Sequence, residues 1–234
     1  MTPAKRLLDL ALVALVALPG LPILAACVVA QHLAGGGPVF YGSVRVGQHG
    51  RPFTLWKLRT MAPGTDADGG VSGGAKAARI TPLGRHLRRW RLDELPQLWN
   101  ILKGEMSFVG PRPPLPRYVD RFPDVYAEVL RARPGITGLA TCLFHRREEA
   151  LLAACTSAEE TDAVYARRCV PAKARLDRLY LRRASPALDL WLIWRTAAIL
   201  LARRGRCGSR WRSKAWPAIQ KVRVRSADPH GHVR

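Results

Sequence analysis

Asp93 and Glu94 stand side by side, close behind Arg88, Arg89 and Arg91. Lys57, Arg59 and Arg112 are further cations that other turns of the chain can bring to the same place. These residue types suit a phosphorylated substrate. Guanidinium groups bind phosphate oxygens bidentately and neutralise their charge. One carboxylate can hold Mg2+ through an oxygen, and the metal then bridges a diphosphate. The other carboxylate, at a helix N-terminus and kept ionised by the helix dipole and the arginines, can attack phosphorus. The cations then spread the charge that develops on the leaving phosphate. A plainer reading competes: Asp93 caps the helix that follows, and Glu94 pairs with a nearby arginine.

The elements that must hold these residues can be read from patterning. Val39-Phe40-Tyr41, Val44 to Gly50 and Phe53 to Arg59 predict a short β-hairpin with basic residues on one face. Thr81-Pro82 reads as an N-cap followed by proline at the first helical position. The helix it opens carries Leu83, Leu87 and Trp90 on one face and arginines on the rest. A second helix runs from Pro96 through Leu98, Ile101 and Leu102, and Gly104 ends it. Pro111 to Pro114 is a rigid turn, Tyr118 to Arg131 a helix and Pro134 to Gly138 another turn. Glu159 to Arg168 and Arg175 to Arg183 read as helices. Residues 62 to 76 read as a mobile loop. Gly70 to Lys76 only approaches a phosphate-binding loop, with Ala75 where glycine is needed and Ala77 where serine or threonine is needed.

Leu10 to Ala30 is an uncharged run of 21 residues, and about 20 suffice to cross a bilayer. Lys5 and Arg6 before it favour a cytoplasmic N-terminus. Pro19, Gly20 and Pro22 interrupt it, and each proline removes a backbone donor. The expectation is a helix–break–helix that enters the membrane and returns, with a kinked crossing helix as the alternative. Leu24 to Cys27 also resembles a lipoprotein cleavage box, but Asp9, the prolines and the apolar stretch Cys27 to Ala30 argue against export. Near the other end, Leu188 to Leu201 is apolar except for a stripe of Asp189, Thr196 and Arg203. At that length it suits a membrane interface, with Trp191 and Trp194 at the boundary, or a buried core helix.

Lys and Arg number 38 against 17 Asp and Glu, a net charge of +21, which calls for an anionic partner. Nucleic acid, anionic lipid headgroups and phosphorylated substrates are the candidates. No helix-turn-helix, zinc-finger or aromatic stacking motif supports nucleic acid. A basic membrane-associated nucleic-acid binder or scaffold without catalysis is the alternative to an enzyme. Five cysteines without a C-x-x-C pair form neither a disulfide framework nor a zinc pattern.

These blocks, in this order, resemble the bacterial sugar transferases, small monotopic polyprenyl-phosphate phosphoglycosyl transferases. The likeness begins at Lys5-Arg6-Leu7-Leu8-Asp9 and continues through Gly37-Pro38-Val39-Phe40, Arg45-Val46-Gly47 and Phe53 to Met61. It is strongest at Arg79 to Gly84, Leu92 to Asn100 and Lys103 to Pro113, and it ends with Pro134 to Gly138 and the Asp189 helix. The resemblance implies a mainly α fold with a small β-hairpin. The expected layout is an N-terminal re-entrant membrane helix over 1–36, an interfacial cytoplasmic domain with amphipathic helices over 37–203, and a basic tail over 204–234 whose composition predicts disorder. It implies the bacterial inner membrane, with the domain on the cytoplasmic face against anionic lipids. It implies a UDP-sugar donor, undecaprenyl phosphate as acceptor, UMP as product and Mg2+ as cofactor. Asp93 matches the nucleophile that forms a covalent phosphosugar intermediate, and Glu94 its Mg2+-associated partner. Arg88 and Arg112 match basic positions near the substrate phosphates, and Lys57 and Arg59 match a further basic block. Two departures stand out. Leu21 precedes Pro22 where the family usually has serine. After Gly138 this chain has Leu139 to Cys142 and Phe144 to Glu149 in place of the usual tryptophan and asparagine.

Overall fold

The computed structural model describes residues 2–35, 37–62 and 79–202. The loop expected at 62–76, apart from Ala62, and the basic tail lie outside the described residues. The chain divides into two units, residues 1–198 and 199–234; of the second, only 199–202 are described, and they are helical.

Among the described residues the fold is mainly helical, with two two-stranded sheets. Helix α1 spans Pro3–Leu33. Thr2 caps it by accepting from the Lys5 amide at 3.3 Å, and Pro3 opens it. The break expected at Pro19 to Pro22 is absent as a separate element: both prolines lie inside one helix. Packing supplies the reason. Asp9, Val13 and Gly20 are buried along one stripe, and Gly20 lets the helix lie against Leu95. The opposite face leaves Leu15 68% and Leu18 81% exposed. This is the one helix among the described residues long and apolar enough to cross a membrane.

Strands β1 (Phe40–Val46) and β2 (Pro52–Leu58) pair antiparallel, as expected of the hairpin. The turn between them needs positive φ at His49 and Gly50. Phe53 and Leu55 alternate inward and pack with Val13, Ile101 and Met106. Helix α2 (Pro82–Trp90) starts as expected, with Thr81 Oγ1 accepting from the Gly84 amide at 2.9 Å. Helix α3 (Gln97–Leu102) follows, and Gly104 takes the left-handed conformation just beyond it.

The helix expected over Tyr118 to Arg131 is two helices, α4 (Pro116–Arg121) and α5 (Pro123–Val129). Pro123 disfavours helical backbone at Phe122, which sits at φ −133° and ψ 58°. The turn expected at Pro134 to Gly138 contains β4 (Gly135–Thr137), which pairs in parallel with β3 (Ser107–Val109). Glycine is required there: a Cβ on Gly135 would meet the Gly110 amide nitrogen at 2.1 Å. Helices α6 (Leu139–Ala153), α7 (Ala158–Val164) and α8 (Val170–Arg183) follow, with one π turn at Tyr165–Cys169 between the last two. Helix α9 (Pro186–Ala202) packs Leu192 inward and leaves Trp191 and Trp194 exposed, so it is buried on one face only.

A buried polar clamp fastens α1 to this frame. Lys5 Nζ donates to Asp189 Oδ2 at 2.6 Å, to the Val109 carbonyl at 3.0 Å and to the Tyr180 hydroxyl at 3.1 Å. One turn on, Asp9 Oδ1 accepts from Ser107 Oγ at 2.9 Å and from the Phe108 amide at 3.0 Å. The Asp189 side chain is 3% exposed, so removing it leaves an ammonium in a site with little water. Asp189→Ala is therefore expected to cost about 3 kcal/mol of stability. Chemical denaturation checks this; a loss below about 1 kcal/mol would place the pair with weak surface ion pairs.

Candidate active site

Arg91 ends α2 in the left-handed conformation, with φ 55° and ψ 23°. A non-glycine residue there costs about 1 kcal/mol. The reversal turns the chain into a 3-10 turn, Leu92–Glu94, that buries both carboxyl groups. Asp93 does not cap the next helix: Pro96 stands at that position, with no side-chain cap bond.

The two neighbours live in different surroundings. Glu94 gathers three cations from three parts of the chain. Oε1 accepts from Lys57 Nζ on β2 at 3.3 Å and from Arg112 Nη2 at 3.1 Å, and Oε2 accepts from Arg91 Nη1 at 2.9 Å. Burial alone would raise its pKa, but Lys57, Arg112 and Arg91 outweigh burial and hold it well below the usual carboxylate range. Asp93 is 7% exposed and makes no hydrogen bond or ion pair among the described residues. Its pKa is raised by burial and by Glu94, against the pull of Lys57, Arg88 and Arg112. The arginines therefore do not hold Asp93 below its ordinary value. The cations spend their hydrogen bonds on Glu94, and Asp93 keeps a mostly buried carboxylate with no partner among the described residues. Adjacent carboxyl groups with opposite shifts are the pattern of a site that divides roles between two acids.

Of the other residues expected here, Lys57, Arg88 and Arg112 converge. Burial lowers the pKa of Lys57 against the opposing charge of Glu94. Arg112 is raised, first by Glu94. Arg88 Nε donates to the buried Thr60 hydroxyl at 2.7 Å, and the charges of Asp93 and Glu94 both act on it. Arg59 is placed differently. Its Nε donates to the Pro38 carbonyl at 3.0 Å, its guanidinium lies over the Tyr41 ring, and its own carbonyl accepts from Gln31 Nε2. It is not among the cations bonded to Glu94. Two partners went unassigned from the sequence. Arg91 was legible as an (i, i+3) partner of Glu94; Thr60, which orients Arg88, carried no signal.

An apolar cavity of about 200 Å³ lies between α1 and the segment Leu95–Leu102. Val13, Ala17 and Leu24 of α1 line one wall, and Leu95, Pro96 and Trp99 line the other. Leu95 directly follows Glu94, so the cavity lies next to the turn that carries the carboxylates. Among the described residues no group of three or more His, Cys, Asp or Glu side chains is placed to hold a metal.

The family model for bacterial sugar transferases matches residues 1–203. The chain is 44% identical over 136 residues to the uncharacterized sugar transferase EpsL of Bacillus subtilis, covering 58% of this chain and 66% of that one. It is 41% identical over 140 residues to a UDP-glucose:undecaprenyl-phosphate glucose-1-phosphate transferase of Caulobacter vibrioides, covering 58% and 52%. It is 37% identical over 142 residues to a UDP-N-acetylgalactosamine-undecaprenyl-phosphate N-acetylgalactosaminephosphotransferase of Aeromonas hydrophila, covering 58% and 33%. The matches thus span two thirds or less of these relatives' own length. The chain belongs to the bacterial sugar transferase family.

Proposed function

We propose that this chain moves a sugar phosphate from a UDP-sugar to undecaprenyl phosphate through a covalent intermediate on Asp93. The observation that carries this reading is the asymmetry of the two carboxylates: Glu94 is bonded to three cations, and Asp93 is buried with no partner among the described residues. A desolvated carboxylate is a stronger nucleophile than a hydrated one. An Asp93 oxygen attacks the sugar-bearing phosphorus. The bond from that phosphorus to the bridging oxygen breaks, and UMP departs with the electron pair. An oxygen of undecaprenyl phosphate then attacks the same phosphorus, the bond to Asp93 breaks, and the carboxylate is restored. In this reading Lys57 and Arg112, which meet at Glu94, and Arg88 from α2 would neutralise the phosphates. Relatives named as transferases acting on UDP-glucose or UDP-N-acetylgalactosamine with undecaprenyl phosphate support this reaction class.

The dyad fits Mg2+ by donor chemistry. Glu94 Oε2 accepts one hydrogen bond and Asp93 none, so lone pairs remain for an ion that takes one or two carboxylates plus waters and substrate phosphates. Bound there, Mg2+ would neutralise diphosphate charge.

The cavity beside Leu95 suits the isoprenoid end of the acceptor. We further infer a monotopic placement on the cytoplasmic face of the inner membrane. Helix α1 is about 46 Å long at 1.5 Å per residue. It touches the rest of the chain at Arg6, which donates to the carbonyls of Ile101 and Leu102, and again at Gln31. A helix crossing the bilayer would hold one end about 30 Å from a domain on the other side. Contacts at both ends hold α1 along the domain, which favours a helix that stays on the domain's side of the membrane. Exposed Trp99, Trp191 and Trp194, with Arg182 and Arg183 at the surface, suit an anionic headgroup layer.

Detergent-purified protein incubated with undecaprenyl phosphate, Mg2+ and a panel of UDP-sugars should release UMP with at least one donor. A chelator should stop the release and added Mg2+ restore it. No UMP from any donor would count against the reaction, and release unaffected by chelation would remove the metal from the scheme.

A further inference from the structure

Arg45 has no place in the scheme above, yet the fold brings it to the edge of the same site. Strand register puts Tyr41, Ser43 and Arg45 on one face of the hairpin, with Lys57, Leu55 and Phe53 opposite them. Lys57 reaches Glu94 from this face. The end of β1 is docked on the turn that carries Arg112: the Val46 amide donates to the Pro114 carbonyl at 3.1 Å, and Arg45 Nη1 donates to the Pro113 carbonyl at 3.3 Å. Arg45 Nε donates to Ser43 Oγ at 3.2 Å. Its partners are thus neutral oxygens. No carboxylate pairs with it among the described residues, and its Nη2 has no partner there.

A part-buried guanidinium beside a second one, with no anion of its own, is an unfavourable arrangement. Burial and Arg112 together push its pKa down to about 10, so it still carries its charge at neutral pH. The groups that act most on that charge are Arg112 and the tyrosines Tyr165, Tyr41 and Tyr118. Tyr165 is the first residue of the π turn, and such turns gather at functional sites. Its ring packs on Tyr118 at 4.8 Å between centroids. Arg112 already spends a bond on Glu94, whereas Arg45 has free donors and no counter-charge. The contacts run from Glu94 to Arg112, and from the turn that carries Arg112 to Arg45, on whose charge the three tyrosines act. In a displacement at phosphorus the leaving group departs opposite the attacking oxygen. A group leaving on the side away from Asp93 needs a cation beyond the one that Glu94 already holds, and Arg45, bonded to the Arg112 turn, is such a cation with donors to spare.

We propose that Arg45 binds the phosphate of the departing nucleotide, completing with Arg112 a subsite for a nucleoside monophosphate. The proposal rests on the transferase reading and adds a residue that serves only its first half-reaction. Once the nucleotide has gone, the Arg45 subsite is empty, and the acceptor phosphate meets the intermediate without it.

The test uses the full-length chain in detergent with UMP as probe and uridine as the control without phosphate. Arg45→Met should raise the UMP Kd by about tenfold or more, the loss expected of a charge-assisted contact, and leave weak uridine binding unchanged. It should lower kcat/KM for the UDP-sugar by a similar factor. Transfer from preformed phosphosugar-enzyme to polyprenyl phosphate should stay within about twofold of the unmodified chain. Arg45→Lys keeps the charge without the fork. It should fall between the two, and it carries the test alone if the methionine variant does not fold. An unchanged UMP Kd in the lysine and methionine variants, or an equal fall in both half-reactions, would overturn the inference and leave the transferase reading standing. An unmodified chain that neither binds nor releases UMP would overturn both.

Discussion

Asp93→Asn is expected to lower UMP release by at least about 10³-fold while leaving the folded protein as stable as before, or more so. Asparagine has the same shape and carries no charge to attack with. The stability half follows from burial. Asp93 is 7% exposed without a partner, and its folded pKa lies above the ordinary value because burial and Glu94 disfavour the charged form. The ionised group therefore costs stability at pH values above its folded pKa. That cost fades as pH falls and is gone below the unfolded value of about 3.9. Removing the charge removes the cost, the usual trade between stability and activity at a functional carboxylate. Thermal melts at pH 7 and a UMP assay measure the two halves on one sample. An inactive variant with a much lower Tm would make Asp93 a structural residue. An active one would remove it as nucleophile.

Glu94→Gln should fail on both counts. The substitution leaves Lys57, Arg91 and Arg112 facing a neutral amide in a site where Glu94 was their shared counter-charge. Breaking a buried pair from one side costs about 3 kcal/mol. Lys57 and Arg112 keep side-chain exposures of 20% and 35%, which moves the expectation to the lower side of that figure. Because Glu94 has a depressed pKa, its contribution is complete above the unfolded value of about 4.3 and is lost as pH falls through the lower folded value. The parent chain should lose this stability in acid, and Glu94→Gln should show a flatter profile there. Transfer should slow, and the Mg2+ concentration for half-maximal rate should rise. An unchanged metal response would remove Glu94 from the metal site.

Much of this frame was legible before any coordinates. The hairpin announced itself by alternation at Phe53, Leu55 and Lys57, and α2 by Thr81-Pro82. Local chemistry decides such features, so local sequence reveals them. Other elements answer to distant partners. Gly135 to Thr137 is a three-residue strand whose reason is the Gly110 backbone against it; nothing within five residues states that. Phe122-Pro123 is a local signal, and the stronger apolar periodicity on both sides masked it. At the site, residue types pointed to phosphate chemistry, but the division between the carboxylates did not follow from spacing. Glu94 draws on Lys57 and Arg112, 37 and 18 positions away, and Asp93 is left unpartnered by the same folding event. The sequence reading has the arginines keep Asp93 ionised; their pull is present, and burial together with Glu94 outweighs it and raises the pKa. The continuity of α1 through two prolines likewise depends on the stripe of Asp9, Val13 and Gly20 against the domain.

The most direct measurement is the intact mass of the chain after incubation with Mg2+ and its UDP-sugar donor in the absence of polyprenyl phosphate. The account predicts an added mass equal to one sugar phosphate. The adduct should map to the peptide containing Asp93, be absent in Asp93→Asn, and be discharged when undecaprenyl phosphate is added. Turnover with acceptor but no adduct without it, under conditions where UMP release is complete, would contradict a covalent intermediate. It would require direct transfer between the two substrates instead.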